Sequence, residues 1–288
     1  MRVAVLGLGL MGLAAATRLA EQGFHLVGWN RSQAGRDVAR EAGISVVDSL
    51  AEAIKQADAL LLFLSDAAAI ESVLLDDQSL PLSGRLSIQM GTIAPSESRA
   101  LGERVHELGG AWLEAPVLGS IPEAKAGRLI IMAGGESADY QRALPLLSAL
   151  GESPSLIGPL GQGAALKLAM NQLIASLTAG FSQSLGLVRA EGIDVDVFMT
   201  LLRQSALYAP TFDKKLDKYL AHDYAQANFP LKHLIKDVRL FQRVAEESGQ
   251  DSSLLQAMAG VFEKGREMGF GEQDYSALYE AINPGKNK

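Results

Sequence analysis

Near the start of the chain, Gly7-Leu8-Gly9-Leu10-Met11-Gly12 carries glycine at its first, third and sixth positions. The strand-like run Arg2–Leu6 precedes it and a helix-favouring run, Leu10–Gln22, follows. Between a strand and a helix, this spacing forms a site for a dinucleotide. Gly7 permits the tight turn, Gly9 lets a pyrophosphate approach the backbone, and Gly12 lets helix and strand pack closely. The helix N-terminus adds free N–H groups and a partial positive charge. An NAD site usually places Asp or Glu about 20 residues further on, to bond the ribose 2′-hydroxyl. Here Asn30-Arg31-Ser32 stand at that position. A carboxylate would repel a 2′-phosphate. Arg31 forms charge-assisted bonds to one, with Asn30 and Ser32 as neutral donors, so the pattern points to NADP(H). The plainer alternative for Arg31 is a solvated loop arginine.

A second chemical group is Lys167, in the largely apolar helical stretch Ala164–Leu177, with Asn171 one turn later on the same face. Carbonyl reduction places a hydride on carbon and a proton on oxygen. A partly desolvated lysine is acidic enough to give that proton near neutral pH. Its ammonium also stabilises the developing alkoxide. Spacing alone leaves this reading level with that of a surface lysine whose stem covers apolar neighbours. Lys236 and Asp237 lie in a helix of mixed charge, where a solvated surface pair is the plain reading. Glu114–Ser120 is a strand end running into a Pro/Gly loop.

These groups need a scaffold. Strand-like runs at Arg2–Leu6, His25–Trp29, Ala59–Leu64 and Leu86–Gln89 alternate with helical runs at Leu10–Gln22, Arg36–Glu41, Leu50–Gln56, Ile70–Leu75 and Pro95–Leu108. Such alternation predicts an α/β unit, a doubly wound Rossmann sheet of parallel strands covered on both faces. Trp112–Val117 and Leu129–Ala133 read as further strands, and Ser137–Leu150 as a helix. From Gly163 to Glu191 there is no proline, and apolar residues recur at helical spacing, which predicts a long helix joining two domains. Val195–Gln204, Thr211–Ala221, Leu231–Ser248, Ser253–Met268 and Tyr275–Ile282 complete an all-α C-terminal domain. The expected domains are 1–161, binding NADP, and 162–288, supplying the lysine and the surface for oligomerisation.

Composition narrows the class. A formal net charge of −7 without a basic run disfavours nucleic-acid binding. No apolar stretch approaches the ~20 residues of a membrane span. Met1–Ala16 has some features of a short secretory leader, but three glycines at phosphate-loop spacing interrupt it. The chain has no cysteine, which excludes disulfides, zinc–thiolate sites and cysteine nucleophiles and fits a reducing compartment such as the cytoplasm. His25, His106, His222 and His233 lack metal-ligand spacing, so no metal is expected.

Taken together, these motifs resemble the β-hydroxyacid dehydrogenase family, also called 3-hydroxyisobutyrate dehydrogenase-like. The resemblance covers nearly the whole chain. It is carried by Gly7–Gly12, Asn30-Arg31, Glu114-Ala-Pro-Val117 with Gly127 and Leu129, Gly161-Gln-Gly-Ala164 with Lys167 and Asn171, and Phe229–Asp237. The last segment is similar to the glyoxylate/succinic semialdehyde reductase branch. The resemblance implies that Lys167 is the catalytic acid/base and that Asn171 orients the substrate or holds the lysine. It places Leu64, Ser65 and Thr92 in loops that contact the cofactor, with Thr92 also near the substrate. It brings Lys236 to the cofactor and Asp237 to the substrate region, which Phe229 walls. Gly119 and Ser120 would hold the substrate carboxylate. Leu118 departs from the family, which generally has serine there, and this puts substrate identity more in question than reaction type.

The implied activity is NADPH-dependent reduction of small carboxylate-bearing aldehydes, glyoxylate to glycolate and succinic semialdehyde to 4-hydroxybutyrate. The alternatives are oxidation of a 3-hydroxy acid such as 3-hydroxyisobutyrate, imine reduction, and a non-catalytic dinucleotide-binding scaffold. Arg31 counts against the first and Lys167 against the second. Retention of Lys167, Asn171 and Asp237 counts against the third. The apolar helices of the C-terminal half predict a homodimer or homotetramer, with no nucleic-acid or membrane partner.

Overall fold

A computed structural model describes residues 1–285. They divide into two compact units that meet at Lys167 and Leu168.

The first unit runs β1 (Val3–Leu6), α1 (Leu10–Glu21), β2 (Leu26–Trp29), α2 (Gln33–Glu41), α3 (Leu50–Gln56), β3 (Ala59–Leu62), α4 (Ala67–Leu74), β4 (Leu86–Gln89) and α5 (Pro95–Glu107). It continues through β5 (Ala111–Glu114), β6 (Val117–Leu118), α6 (Ile121–Ala126), β7 (Ile130–Gly134), α7 (Ser137–Leu150) and β8 (Ser155–Gly158) into α8 (Gln162–Ala190). The sheet order is β2-β1-β3-β4-β5-β7-β6, with β8 also on β7. Strands β1 to β5 are parallel. Their residues alternate between two cores. Val3, Val5, Leu61 and Ile88 face one, with Ala14, Leu19 and Leu147. Ala4, Leu6, Leu60 and Leu62 face the other, with Ile54, Ile70 and Leu101. A strand buried on both faces needs apolar residues throughout, as Ala59–Leu62 has.

The four strands expected to alternate with helices are parallel, and beyond β5 the sheet becomes mixed. Strand β7 is antiparallel to β5, and β6 is antiparallel to β7. The expected strand Trp112–Val117 is two strands, broken at Ala115 and Pro116. Pro116 has no N–H to donate to a ladder. The chain then returns through the short α6, and an antiparallel neighbour needs no long crossover. The N-terminal apolar stretch Val3–Ala16 forms β1, the glycine turn and the start of α1.

The second unit comprises α8 from Leu168 onward, α9 (Val195–Gln204), α10 (Pro210–Ala221), α11 (Leu231–Glu247), α12 (Ser253–Gly265) and α13 (Leu278–Ile282). The expected Ser253–Met268 helix changes to π-type geometry at Arg266, and Gly269 adopts φ +91°. One core gathers Ala175, Leu234, Phe262 and Leu278. The other gathers Phe181, Met199, Phe212 and Tyr219, with Phe181 stacked on Phe212 at 4.5 Å. Among the described residues, no helix is long and apolar enough to cross a membrane.

A buried ion pair fastens this unit. Lys215 Nζ donates to both carboxylate oxygens of Asp274, at 2.8 and 2.7 Å, and lies 4.5 Å from the centre of the Tyr275 ring. Burial holds the Lys215 ammonium below its ordinary pKa, and Asp274 opposes that shift. Removing one partner leaves the other charge without compensation, at a cost of about 3–5 kcal/mol. Asp274→Asn is therefore expected to lower unfolding stability by that order in urea titration. The apolar pair Lys215→Met with Asp274→Leu should recover most of it.

Candidate functional site

The phosphate loop follows β1 and leads into α1. The chain passes from β1 to β2 on one side and then to β3 on the other, so the strand order reverses at β1, and open α/β sheets bind ligands at such a switch point. Gly7 has φ +96°, and a Cβ there would lie 2.3 Å from the Phe63 carbonyl oxygen. A Cβ on Gly12 would lie 1.8 Å from the Gly7 carbonyl oxygen. The turn and the first helical turn thus interlock. A Cβ on Gly9 would meet nothing within 4 Å, and no side chain caps α1. This open backbone and uncapped helix start suit a pyrophosphate. Gly12→Ala is expected to weaken dinucleotide binding roughly 5- to 100-fold, read by fluorescence titration, because the overpacked contact costs about 1–3 kcal/mol.

The loops after β3 and β4 lie beside this turn. Leu64 is half-buried, and a Cβ on Gly91 would approach its carbonyl oxygen to 2.8 Å. Ser65 is exposed and donates to Asp66, whose other carboxylate oxygen caps α4 through the Ala69 N–H. Thr92 is half-buried in the loop before α5.

At the end of β2, the three expected recognition residues have separate tasks. Asn30 Oδ1 accepts the Leu8 N–H at 3.0 Å, so this side chain fixes the phosphate loop. Its Nδ2 donates to Ser32 Oγ, which in turn caps α2 by accepting from Gly35 N–H. Arg31 is exposed, and its side chain makes no hydrogen bond or ion pair among the described residues. Arg36 was not singled out from the sequence. Its guanidinium donates to the carbonyls of Asn30 and Arg31 at 2.7 and 3.0 Å and so holds the loop that presents Arg31. Its position one turn into α2, facing back over the loop, is the only signal that would have found it.

After β6, Gly119 has φ +131°, a left-handed backbone that favours glycine, and a Cβ there would press on Leu129. Ser120 begins α6. Its N–H and Oγ both donate to Glu123, at 2.7 and 2.6 Å. Leu118 is half-buried.

Helix α8 carries Lys167 (8 % exposed) and Asn171 (2 % exposed) one turn apart. The lysine is therefore not a solvated surface residue. In the second unit, Asn171 Nδ2 donates to Asp237 Oδ2 at 2.6 Å, and Lys236 Nζ lies 3.0 Å from Asp237 Oδ1. Asp237 is 3 % exposed, so it is a buried bridge between two side chains and not half of a solvated pair. Phe229 stacks on His233 at 6.3 Å and meets Tyr275 edge-on at 5.9 Å. Burial, reinforced by Lys232, pushes the His233 imidazole below its ordinary pKa.

The first unit thus has an open dinucleotide loop, and α8 and α11 carry a buried network of ionisable and amide groups. Residues 2–158 match the family described as the NAD binding domain of 6-phosphogluconate dehydrogenase. Residues 161–282 match that described as NAD-binding of NADP-dependent 3-hydroxyisobutyrate dehydrogenase. The chain is 34 % identical to glyoxylate/succinic semialdehyde reductase 1 of Arabidopsis thaliana, over 98 % of each chain. It is 29 % identical to an NAD-dependent L-serine dehydrogenase of Pseudomonas aeruginosa, again over 98 % of each. The solved structure of a 3-hydroxyisobutyrate dehydrogenase from Mycobacterium tuberculosis shares the fold, with TM-score 0.87 at 21 % identity over 98 % of each chain. With both halves matched and relatives aligned end to end, the chain belongs to the β-hydroxyacid dehydrogenase, or 3-hydroxyisobutyrate dehydrogenase-like, family of NAD(P)-dependent oxidoreductases.

Proposed function

We propose that this enzyme is an NADPH-dependent reductase of short aldehydes bearing a carboxylate, with glyoxylate and succinic semialdehyde as substrates. The observation that carries the reading is the burial of Lys167 one turn from Asn171, whose amide is bound to the buried Asp237. Bound NADPH would supply the hydride. Lys167 gives the proton to the carbonyl oxygen, and removal from water favours that release. Before transfer its charge stabilises the developing alkoxide. Asn171, held by Asp237, orients the substrate, and Lys236 is steered by the same carboxylate toward the cofactor. Gly119 and Ser120 receive the substrate carboxylate, Thr92 stands near the reacting carbon, and Phe229 is the apolar wall. Gly7–Gly12, Leu64 and Ser65 hold the dinucleotide, and Arg31 takes its 2′-phosphate.

The name of the Arabidopsis relative supports the substrate class. The Pseudomonas relative supports a second reading, NAD-linked oxidation of a 3-hydroxy acid, which the exposed Arg31 disfavours. Leu173, Leu187, Val197, Leu201 and Leu207 are exposed apolar residues of the second unit and support a homodimer or homotetramer. The lack of cysteine supports a cytoplasmic site of action.

The test is the fall in NADPH absorbance on adding glyoxylate or succinic semialdehyde, set beside the rise in NADH or NADPH absorbance when 3-hydroxyisobutyrate or L-serine is added with NAD⁺ or NADP⁺. Turnover of either aldehyde with NADPH is the expected result. Turnover of only the hydroxy acids with NAD⁺ would establish the second reading. Dinucleotide binding without any turnover would leave a scaffold.

A further inference from the structure

Glu114 belongs to a segment prominent in the sequence, yet neither cofactor nor substrate chemistry accounts for it. It ends β5 and is fully buried, at 0 % exposure. A buried carboxylate is costly unless its oxygens are bonded. Oε1 of Glu114 accepts the N–H of Gly161 at 2.9 Å and that of Ala164 at 3.1 Å. Both amides belong to the start of α8, where the helix dipole also favours a negative group. Burial nevertheless pushes the Glu114 carboxyl above its ordinary range, and Ser98 and the amides of Ala164, Gly161 and Gly163 offset this only in part.

The carboxylate occupies space that glycine leaves open. A Cβ on Gly134, the register partner of Glu114, would lie 2.3 Å from Oε1. A Cβ on Gly163 would lie 2.4 Å from the Met132 carbonyl oxygen. The first turn of α8 therefore rests directly on β7, and Glu114 fills the space that Gly134 leaves. An ordinary helix cap is a Ser, Thr, Asp or Asn adjoining the helix. This one comes from a strand 47 positions away and so ties the helix start to the sheet. Gly163 stands one turn before Lys167 on the same helix face.

We infer that Glu114 is a positioning residue: it fixes the axial register of α8 and, through it, the place of the Lys167 ammonium. The inference rests on the reading of Lys167 as proton donor. A displacement of about 1 Å at a reacting group costs roughly 10²-fold in rate, which is the effect expected if the tie is cut.

The experiment compares full-length wild type with Glu114→Met, which fills similar space without the acceptor, and Glu114→Gln, which keeps an acceptor oxygen. For Glu114→Met, kcat with NADPH and aldehyde should fall roughly 10²-fold. Its NADPH Kd should stay within ~3-fold, since the phosphate loop is untouched. Glu114→Gln should restore kcat to within ~5-fold of wild type. A folded Glu114→Met with wild-type kcat overturns the inference, as does a Glu114→Gln that loses as much as Met. Should Glu114→Met fail to fold, Glu114→Asp decides. Its shorter side chain draws the acceptor back, so a large fall in kcat at unchanged NADPH affinity supports the tie and wild-type kcat overturns it. A wild type that reduces no aldehyde overturns the reading of Lys167 and this inference with it. An active wild type beside an unaffected variant overturns this inference alone.

Discussion

Replacing Lys167 by alanine is expected to lower kcat for aldehyde reduction by about 10³-fold, within the 10²–10⁴ range typical of a positioned general acid. The loss combines the proton and the charge that meets the developing alkoxide. NADPH affinity should stay within ~3-fold, because no residue of the phosphate loop is altered. Lys167→Arg separates the two effects. Arginine keeps a positive charge but does not release a proton near neutral pH. Its kcat should fall between those of wild type and the alanine variant. Steady-state kinetics with a fluorescence titration of NADPH gives both quantities. A Lys167→Ala enzyme with kcat within ~10-fold of wild type would remove the lysine from the chemistry.

Exchanging Arg31 for aspartate should reverse the coenzyme preference. Hydrogen bonds to a charged group contribute about 1.5–3 kcal/mol, which corresponds to roughly 10–100-fold in kcat/KM for NADPH. The new carboxylate adds repulsion of the 2′-phosphate and offers an acceptor to the ribose hydroxyl of NADH. The ratio of kcat/KM for the two coenzymes is therefore expected to move by at least ~10²-fold. The fold should not respond, since the Arg31 side chain is exposed and has no bonding partner among the described residues. Asn30→Ala serves as the contrast. It releases the Leu8 amide and should weaken NADPH and NADH alike. Equal weakening of both coenzymes by Arg31→Asp would show that Arg31 supports the loop and does not select.

Much of the fold can be read from local pattern. The strands Val3–Leu6, Ala59–Leu62 and Leu86–Gln89 are short apolar runs between glycine or polar breaks, and α8 is a long proline-free stretch. What local pattern misses depends on long-range partners. Ser155–Gly158 forms β8 only because β7 offers it an edge, and four residues between two prolines carry no periodicity. The reversal of β7 follows from the helix Ile121–Ala126, too short to announce itself. The site divides in the same way. Residue type and spacing pick out the glycine loop, whereas for Lys167 they leave a surface lysine equally open, and its burial depends on the packing of α8. The bridging role of Asp237 depends on the approach of α11 to α8, and that of Arg36 on its reach back over β2. Glu114 marked the family from the sequence, but its two amide partners lie 47 and 50 positions away.

Residues 30 and 31 are neighbours in the chain with unequal freedom to vary. Asn30 is bound into the phosphate loop, and the backbone it shares with Arg31 is clasped by Arg36. Selection acting on the architecture thus constrains positions 30 and 36 and leaves position 31 open. On the proposed role of Arg31, a lineage of this protein would change coenzyme pools through a single codon, without passing through a misfolded ancestor. The same asymmetry directs a designer: randomise position 31 first, and hold the asparagine and the clasping arginine constant.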